Sequence, residues 1–366
     1  MEKIIKRFIT CHVPVTACNF KCQYCYLRNI KEREINRFVL EPVALAEKMS
    51  PERLGGICYF NFCADGETML QPQLIELIQH LTKMGHYADI ITNGTMTNKF
   101  VELVNSLSDD EQSRLMIKFS FHYLELKEKK LLEKYVSNVN LVKNSNISYS
   151  IEITPHDELV DYIDEIKDFS MSNFGALPHI TVTRNADTRD IALLTRYDRN
   201  VYKEIWEQFD SPMFDFKFST FNHKRKEFCY AGDWSIKLDL GSGEYRQCYV
   251  GRRLGNICDE GDLVFQAIGN CRMPHCFNGH AFLALGDIPE LDAPTYSEER
   301  DRLCDDGTHW LKEGCRSFFS TKLYDSNEEY SLEKKKECIS QTRKDILRDK
   351  KTHIIRKVKE AIKPHE

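Results

Sequence analysis

The chain has 366 residues, 42% hydrophobic and 29% charged, the profile of a globular enzyme with one large domain and appendages or two ordinary domains. A net charge of −5 gives no reason to expect nucleic acid as the main partner. The opening MEKIIKRFITCHVPV lacks the apolar core of a secretory signal and no run reaches membrane-spanning length, so fourteen cysteines point to a reducing cytoplasm, where clustered thiols more often hold metal than form disulfides.

From residue 4 to about 183, β-rich runs alternate with amphipathic helical stretches. The strands are expected at 4–14, 56–62, 88–92, 115–121, 147–153 and 179–183, and the helices at 42–49, 71–84, 97–107, 126–142 and 157–168. Such alternation predicts parallel βαβ units in a curved sheet or partial barrel, with chemistry at the C-terminal ends of the strands. The pattern changes near residue 220. WSIKLDL, a GSG turn and EYRQCYV predict a β-hairpin within 229–251. A helical piece is expected around 261–268, an irregular acidic region over 286–325, and one charged helix over the last forty residues. The expected units are 1–225, 226–290 and 291–366.

Cysteines are absent between Cys63 and Cys229, so they mark two ends of something rather than a uniform network of staples. Cys18, Cys22 and Cys25 fall within eight positions in C-x3-C-x2-C spacing, just past the first strand. Three thiolates can hold three corners of a four-iron cluster and leave the fourth iron open to a chelating small molecule. The alternative is a zinc site completed by Cys11, His12 or Cys63, which this spacing fits poorly. Tyr24, before the third cysteine, offers an aromatic face for an adenine. The second group is Cys229, Cys248, Cys271 and Cys276, and four thiolates suit either a fully ligated four-iron cluster or an all-cysteine zinc site.

CNFKCQYCY resembles the signature of radical S-adenosylmethionine (radical SAM) enzymes, and the motif-level likeness covers roughly the first 225 residues. ADGETML (64–70) is similar to the family's Gly-Gly-Glu segment, with Gly66 and Glu67 matching and Asp65 in place of the first glycine. ITNGT (91–95), containing Asn93, resembles the family's Thr-Asn-Gly stretch, and Ser120 and Glu152 occupy strand positions where the family contacts ribose or the methionine carboxylate. The resemblance implies an α/β fold with a partial (β/α)6 barrel. It also implies a SAM-binding [4Fe–4S] cluster, SAM as cosubstrate and a flavodoxin- or ferredoxin-type electron donor. The chemistry implied is hydrogen abstraction from an unactivated carbon.

The Cys–hairpin–Cys unit followed by a close pair resembles the twitch form of the SPASM auxiliary domain, which implies a second [4Fe–4S] cluster. RRLGNICDEGD (252–262) is similar to the stretch between the halves of such domains, with Cys258 a spare thiol. An auxiliary cluster that accepts an electron suits oxidation or epimerisation of a sugar, polyol or glycan-linked substrate. A peptide maturase ranks below this, because Cys18 lies close to the start for a leader-binding segment. A non-catalytic metal-binding protein is the third reading. Cys63, two residues before DGET, is a candidate hydrogen donor, although a small buried hydrophobe is the commoner role. His122 and His156, at strand ends, are candidate acid–base groups or structural hydrogen-bonders. Ile354, Ile355, Val358, Ala361 and Ile362 share a face of the basic tail, for packing on the barrel or for peripheral contact with a membrane.

Overall fold

The computed structural model of the chain describes residues 4–25, 27, 29–185 and 191–362, with the side chains of 346 and 349–362 outside that description. The expected strands form: β1 (Arg7–Val13), β2 (Cys58–Ala64), β3 (Tyr87–Thr92), β4 (Leu115–Ser120), β5 (Ser148–Ile153) and β6 (His179–Ile180). Each pairs in parallel with the next, and helices cross between them. β7 (Arg184–Asn185) and β8 (Ala192–Leu193) make a small antiparallel pair beside this array.

The hairpin does not stand apart. β9 (Ser235–Asp239) lies parallel to β1, and β10 (Glu244–Arg246) and β11 (Arg253–Asn256) continue antiparallel from it. One nine-stranded sheet results, in the order β11-β10-β9-β1-β2-β3-β4-β5-β6. The segment that carries the second cysteine group is therefore built onto the barrel edge next to the strand that ends at the first.

Alternation along the strands divides the two faces. Ile9, Cys11 and Val13 of β1, with Cys58, Phe60 and Phe62 of β2, join the apolar layer beneath the crossing helices, where Leu45, Leu77 and Leu81 meet them. The other face is layered. Phe8, Tyr59, Tyr87 and Met116 pack with residues from 281–323. Above them Thr10, Asn61 and Asp89 lie in register, and Lys118 reaches Asp89 at 3.2 Å. The region 286–325 thus packs into the core, with helices Tyr296–Arg300 and Glu313–Phe319 in place of the expected irregular acidic region. It brings Glu299 and Arg300 into the interior.

Two helical expectations need correction. The 126–142 pattern splits into Tyr123–Glu128 and Leu132–Lys143, with Lys130 in the left-handed region (φ 56°) between them. Residues 261–268 form no helix. Gln266 N and Ile268 N donate to Gly232 O and Ala231 O at 2.8 Å each, so pairing with a distant turn replaces local helical bonds. The last helix runs Leu332–Ile362, and the expected apolar face from Ile354 to Ile362 lies outside the described side chains. Among the described residues no helix is long and apolar enough to cross a membrane.

Candidate active site between two cysteine groups

A cavity of about 740 Å³ opens at the C-terminal ends of the strands, with Cys18, Cys22 and Cys25 in its wall. The cysteine loop is held in place by its neighbours. Thr16 N and Ala17 N donate to Glu34 O at 2.9 and 3.1 Å, and Phe20 N and Leu27 N point at Cys18 Sγ and Cys25 Sγ, each at 3.4 Å. Burial raises the pKa of Cys18 and Cys22, so holding them as thiolates requires a bound cation or cluster.

The loop after β2 docks on this segment. Gly66 N donates to Val15 O and Glu67 N to Ala17 O, both at 2.9 Å. A Cβ on residue 66 would fall 2.0 Å from Ala17 O, so the contact admits only glycine. Glu67 is buried; its Oε1 accepts from Thr92 Oγ1 (2.6 Å) and Met69 N (3.0 Å), and its Oε2 accepts from Asn93 N (2.8 Å). Burial raises its pKa against these hydrogen bonds. Asn93 Nδ2 donates to Asn19 Oδ1 at 2.6 Å, tying the end of β3 to the cysteine loop. The GET and TNG segments therefore lock three loops together around the cavity.

The geometry accounts for Asp65. His12 Nε2 lies 3.3 Å from Asp65 Oδ2, and its Nδ1 lies 2.9 Å from Asp239 Oδ2 on β9. Hydrogen bonds to Asp239, then Asp65, raise the His12 pKa from 6.5 to about 9 against the opposing effect of burial. Where the resemblance predicts glycine, this chain uses a carboxylate to tie the loop, β1 and β9 together.

The other expected site residues divide. Tyr24 lines the cavity, stacks on His156 (centroids 4.0 Å apart) and bonds through its hydroxyl to His122 Nδ1 at 2.6 Å. Burial lowers His122 to about 4, which leaves a neutral imidazole. His156 is lowered by burial in spite of Glu158 at 2.8 Å. Cys63 and Ser120 line the cavity, and burial pushes the Cys63 thiol up to about 12. Glu152 is placed differently: it pairs with the buried Arg300 and is not among the residues of the cavity wall. Burial raises its pKa, but Arg300 and Lys118 outweigh that and hold it low.

Cys11 and His12 are not spare ligands. Cys11 is buried on the helix-covered face, and His12 is committed to two carboxylates. Among the described residues, no three His, Cys, Asp or Glu side chains converge on one metal ion.

Cys229, Cys248, Cys271 and Cys276 line a second, smaller cavity of about 50 Å³. Cys229 is fixed by paired backbone bonds with Gly269 at 2.9 and 3.0 Å. Burial raises the Cys248 thiol to about 11, with Cys271 adding to the rise. Tyr249, His275, Phe277 and Asn278 border both cavities, so the two cysteine groups line adjoining cavities. Lys118 and Lys217 also line the large cavity, and both were missed from sequence. Lys118 alternates inward on β4 and was legible in principle. Lys217, on the helix Pro212–Thr220, carries no motif.

Residues 13–170 match the family model of the Radical SAM superfamily. No curated protein matches the chain. Among solved structures, Streptococcus suis SuiB is 12% identical with a TM-score of 0.50, over 70% of this chain and 64% of its own, a likeness of fold. SuiB bound to precursor peptide SuiA is 13% identical with a TM-score of 0.48, over the same shares. Native anSMEcpe with bound AdoMet is 16% identical with a TM-score of 0.47, over 97% of this chain and 100% of its own. The chain thus spans 64% of the length of SuiB.

Proposed function

We propose that this chain, a radical SAM protein by its domain over residues 13–170, uses Cys18, Cys22 and Cys25 to hold the SAM-binding [4Fe–4S] cluster. On this reading Cys229, Cys248, Cys271 and Cys276 hold a second cluster. Together these groups supply reductive cleavage of SAM, hydrogen-atom abstraction by the adenosyl radical and a place for a further electron. The observation that carries the reading is adjacency: the two cysteine groups line neighbouring cavities that share Tyr249, His275, Phe277 and Asn278 as a common border.

The geometry supports a role for each residue. Gly66 lets the loop after β2 approach the cysteine loop. Glu67 accepts three hydrogen bonds, which leaves acceptor capacity on Oε2, and its buried charge favours an incoming methionine ammonium. Tyr24 and neutral His122 offer a ring and a polar edge to the adenosyl group. Ser120 offers a hydroxyl to the same cosubstrate. Cys63, protonated at neutral pH, has a hydrogen to give.

The substrate we favour is a hydroxylated small molecule, a sugar or polyol, oxidised or epimerised at carbon. Its support is a wall rich in hydroxyl, amide and amine groups, including Asn61, Lys118, Thr181, Thr183, Lys217 and Asn278. The peptide-maturase reading draws on the fold likeness to SuiB, and the two differ in what the cavity must admit. Flavodoxin- or ferredoxin-type proteins are the electron donors this chemistry calls for. Iron analysis tests the cofactor assignment. The reconstituted protein should hold about eight irons, and a Cys248→Ala, Cys276→Ala variant about four. One zinc with about four irons in the wild type would overturn the auxiliary cluster.

A further inference from the structure

An arginine sits beside the second cysteine group. In the run His223, Lys224, Arg225, Lys226, the other three residues are exposed, whereas the Arg225 side chain is only 13% exposed. It lines the smaller cavity together with Cys229, Cys248, Cys271 and Cys276. Among the described residues of that wall, it is the only one whose side chain carries a permanent charge. Its Nε is buried and has no hydrogen-bond partner among the described residues. Its ion-pair partner is Glu227, which is one-third exposed, with Oε1 3.6 Å from Nη1. That distance is too long for a hydrogen bond.

A guanidinium turned inward between two surface lysines gives up water, and a buried N–H without an acceptor is costly. Protonated thiols are weak acceptors and carry no charge. Four thiolates around a four-iron cluster leave a net negative charge, which a neighbouring guanidinium answers. Arg225 therefore fits a thiolate-bound group at this place. The buried carboxylate of Asp287 acts in the opposite sense on Cys229, Cys248 and Cys276, and its Oδ2 accepts from Ser235 Oγ. One-electron reduction adds negative charge, so a fixed cation beside the group favours the reduced form.

We propose that Arg225 is the counter-charge of a cluster at Cys229, Cys248, Cys271 and Cys276 and raises its reduction potential, which suits this site to accept an electron from the substrate radical. The inference rests on the reading that these four cysteines hold a four-iron cluster. The electron balance is simple. A substrate radical at a carbinol carbon loses one electron to the oxidised cluster and its hydroxyl proton to solvent, leaving a carbonyl. Arg225 touches no reacting atom of the substrate and acts through the potential of the acceptor.

The test uses the full chain with Cys18, Cys22 and Cys25 replaced by alanine and anaerobically reconstituted, so that iron reports on the second site alone. Titration with dithionite in the presence of redox mediators, followed by electron paramagnetic resonance of the reduced cluster, gives its midpoint. Arg225→Met in this background should retain about four irons. It should shift the reduction equilibrium at least about tenfold toward the oxidised form, a midpoint lower by about 59 mV or more for one electron. Arg225→Lys, which keeps the charge, should restore most of that shift. Lys224→Met, at the exposed neighbour, should leave the midpoint where it was. If Arg225→Met loses iron, Arg225→Gln, which keeps an N–H and removes the charge, is held to the same threshold. An unchanged midpoint in the iron-replete variant overturns the proposal. So does an equal fall in Lys224→Met, or an Arg225→Lys midpoint as low as that of Arg225→Met. Zinc in place of iron in the starting protein overturns the cluster reading and the inference with it, and metal analysis before the titration tells that failure from the others.

Discussion

Gly66→Ala is the sharpest local test, because the structure fixes both the obstacle and its neighbours. The new Cβ would lie 2.0 Å from Ala17 O, 2.7 Å from Ala17 C and 2.8 Å from Thr16 C, all backbone atoms. Real Cβ contacts stay beyond 3.0 Å, so the two segments must part by about 1 Å. The bonds Gly66 N–Val15 O and Glu67 N–Ala17 O, both 2.9 Å, would stretch past hydrogen-bonding distance. Two such bonds are worth roughly 1–3 kcal/mol together. The functional loss should be larger than the stability loss, because Ala17 adjoins Cys18 and a displacement of about 1 Å at a reacting centre can cost on the order of 100-fold in rate. The assay compares iron content, cluster absorbance, thermal midpoint and 5′-deoxyadenosine release in wild type and variant. A variant with full iron and undiminished release would show that the two loops are not docked as described.

Glu67→Gln keeps the shape but turns an amide N–H₂ toward the Asn93 N–H or the Thr92 hydroxyl. It should lower stability by about 1–3 kcal/mol and weaken SAM binding by about tenfold or more in a calorimetric titration. The His12 pKa rises from 6.5 to about 9 on folding, so its pairing stabilises the protein fully below pH 6.5, and that contribution is lost as pH climbs through 9. His12→Gln should therefore flatten the alkaline limb of a midpoint-versus-pH curve, and parallel curves would refute the clamp. Cys63→Ala separates two reactions: if the thiol returns a hydrogen atom to the substrate radical, the variant should still release 5′-deoxyadenosine but yield no inverted product. Product oxidised by two electrons and free of solvent deuterium would remove the donor role.

The barrel strands were legible because each is a short β-branched or aromatic run between helical stripes, and their order follows from parallel βαβ connection. The cysteine loop was legible from spacing alone, and Gly66 and Asn93 from motif likeness. What stayed hidden depended on partners distant in sequence. Nothing in the sequence signalled that Glu152 pairs with Arg300, which comes from the acidic stretch expected to be irregular. Asp65 looked like a defect in a motif until His12 and Asp239 flanked it from two strands. Residues 261–268 carried a helical pattern that backbone pairing with Gly232 and Ala231 overrode. Lys217 has no signature because its meaning comes from where its helix ends up, not from its neighbours in the chain.

The central claim is that Cys18, Cys22 and Cys25 present an open iron to SAM, and one measurement addresses it directly. Anaerobically reconstituted protein with dithionite and SAM is assayed for 5′-deoxyadenosine, beside a variant in which all three cysteines are alanine. The account predicts release by the wild type, none by the variant, and loss of about half the iron with the second cluster retained. Release by the triple variant, or none by a wild type carrying its full iron, would contradict it.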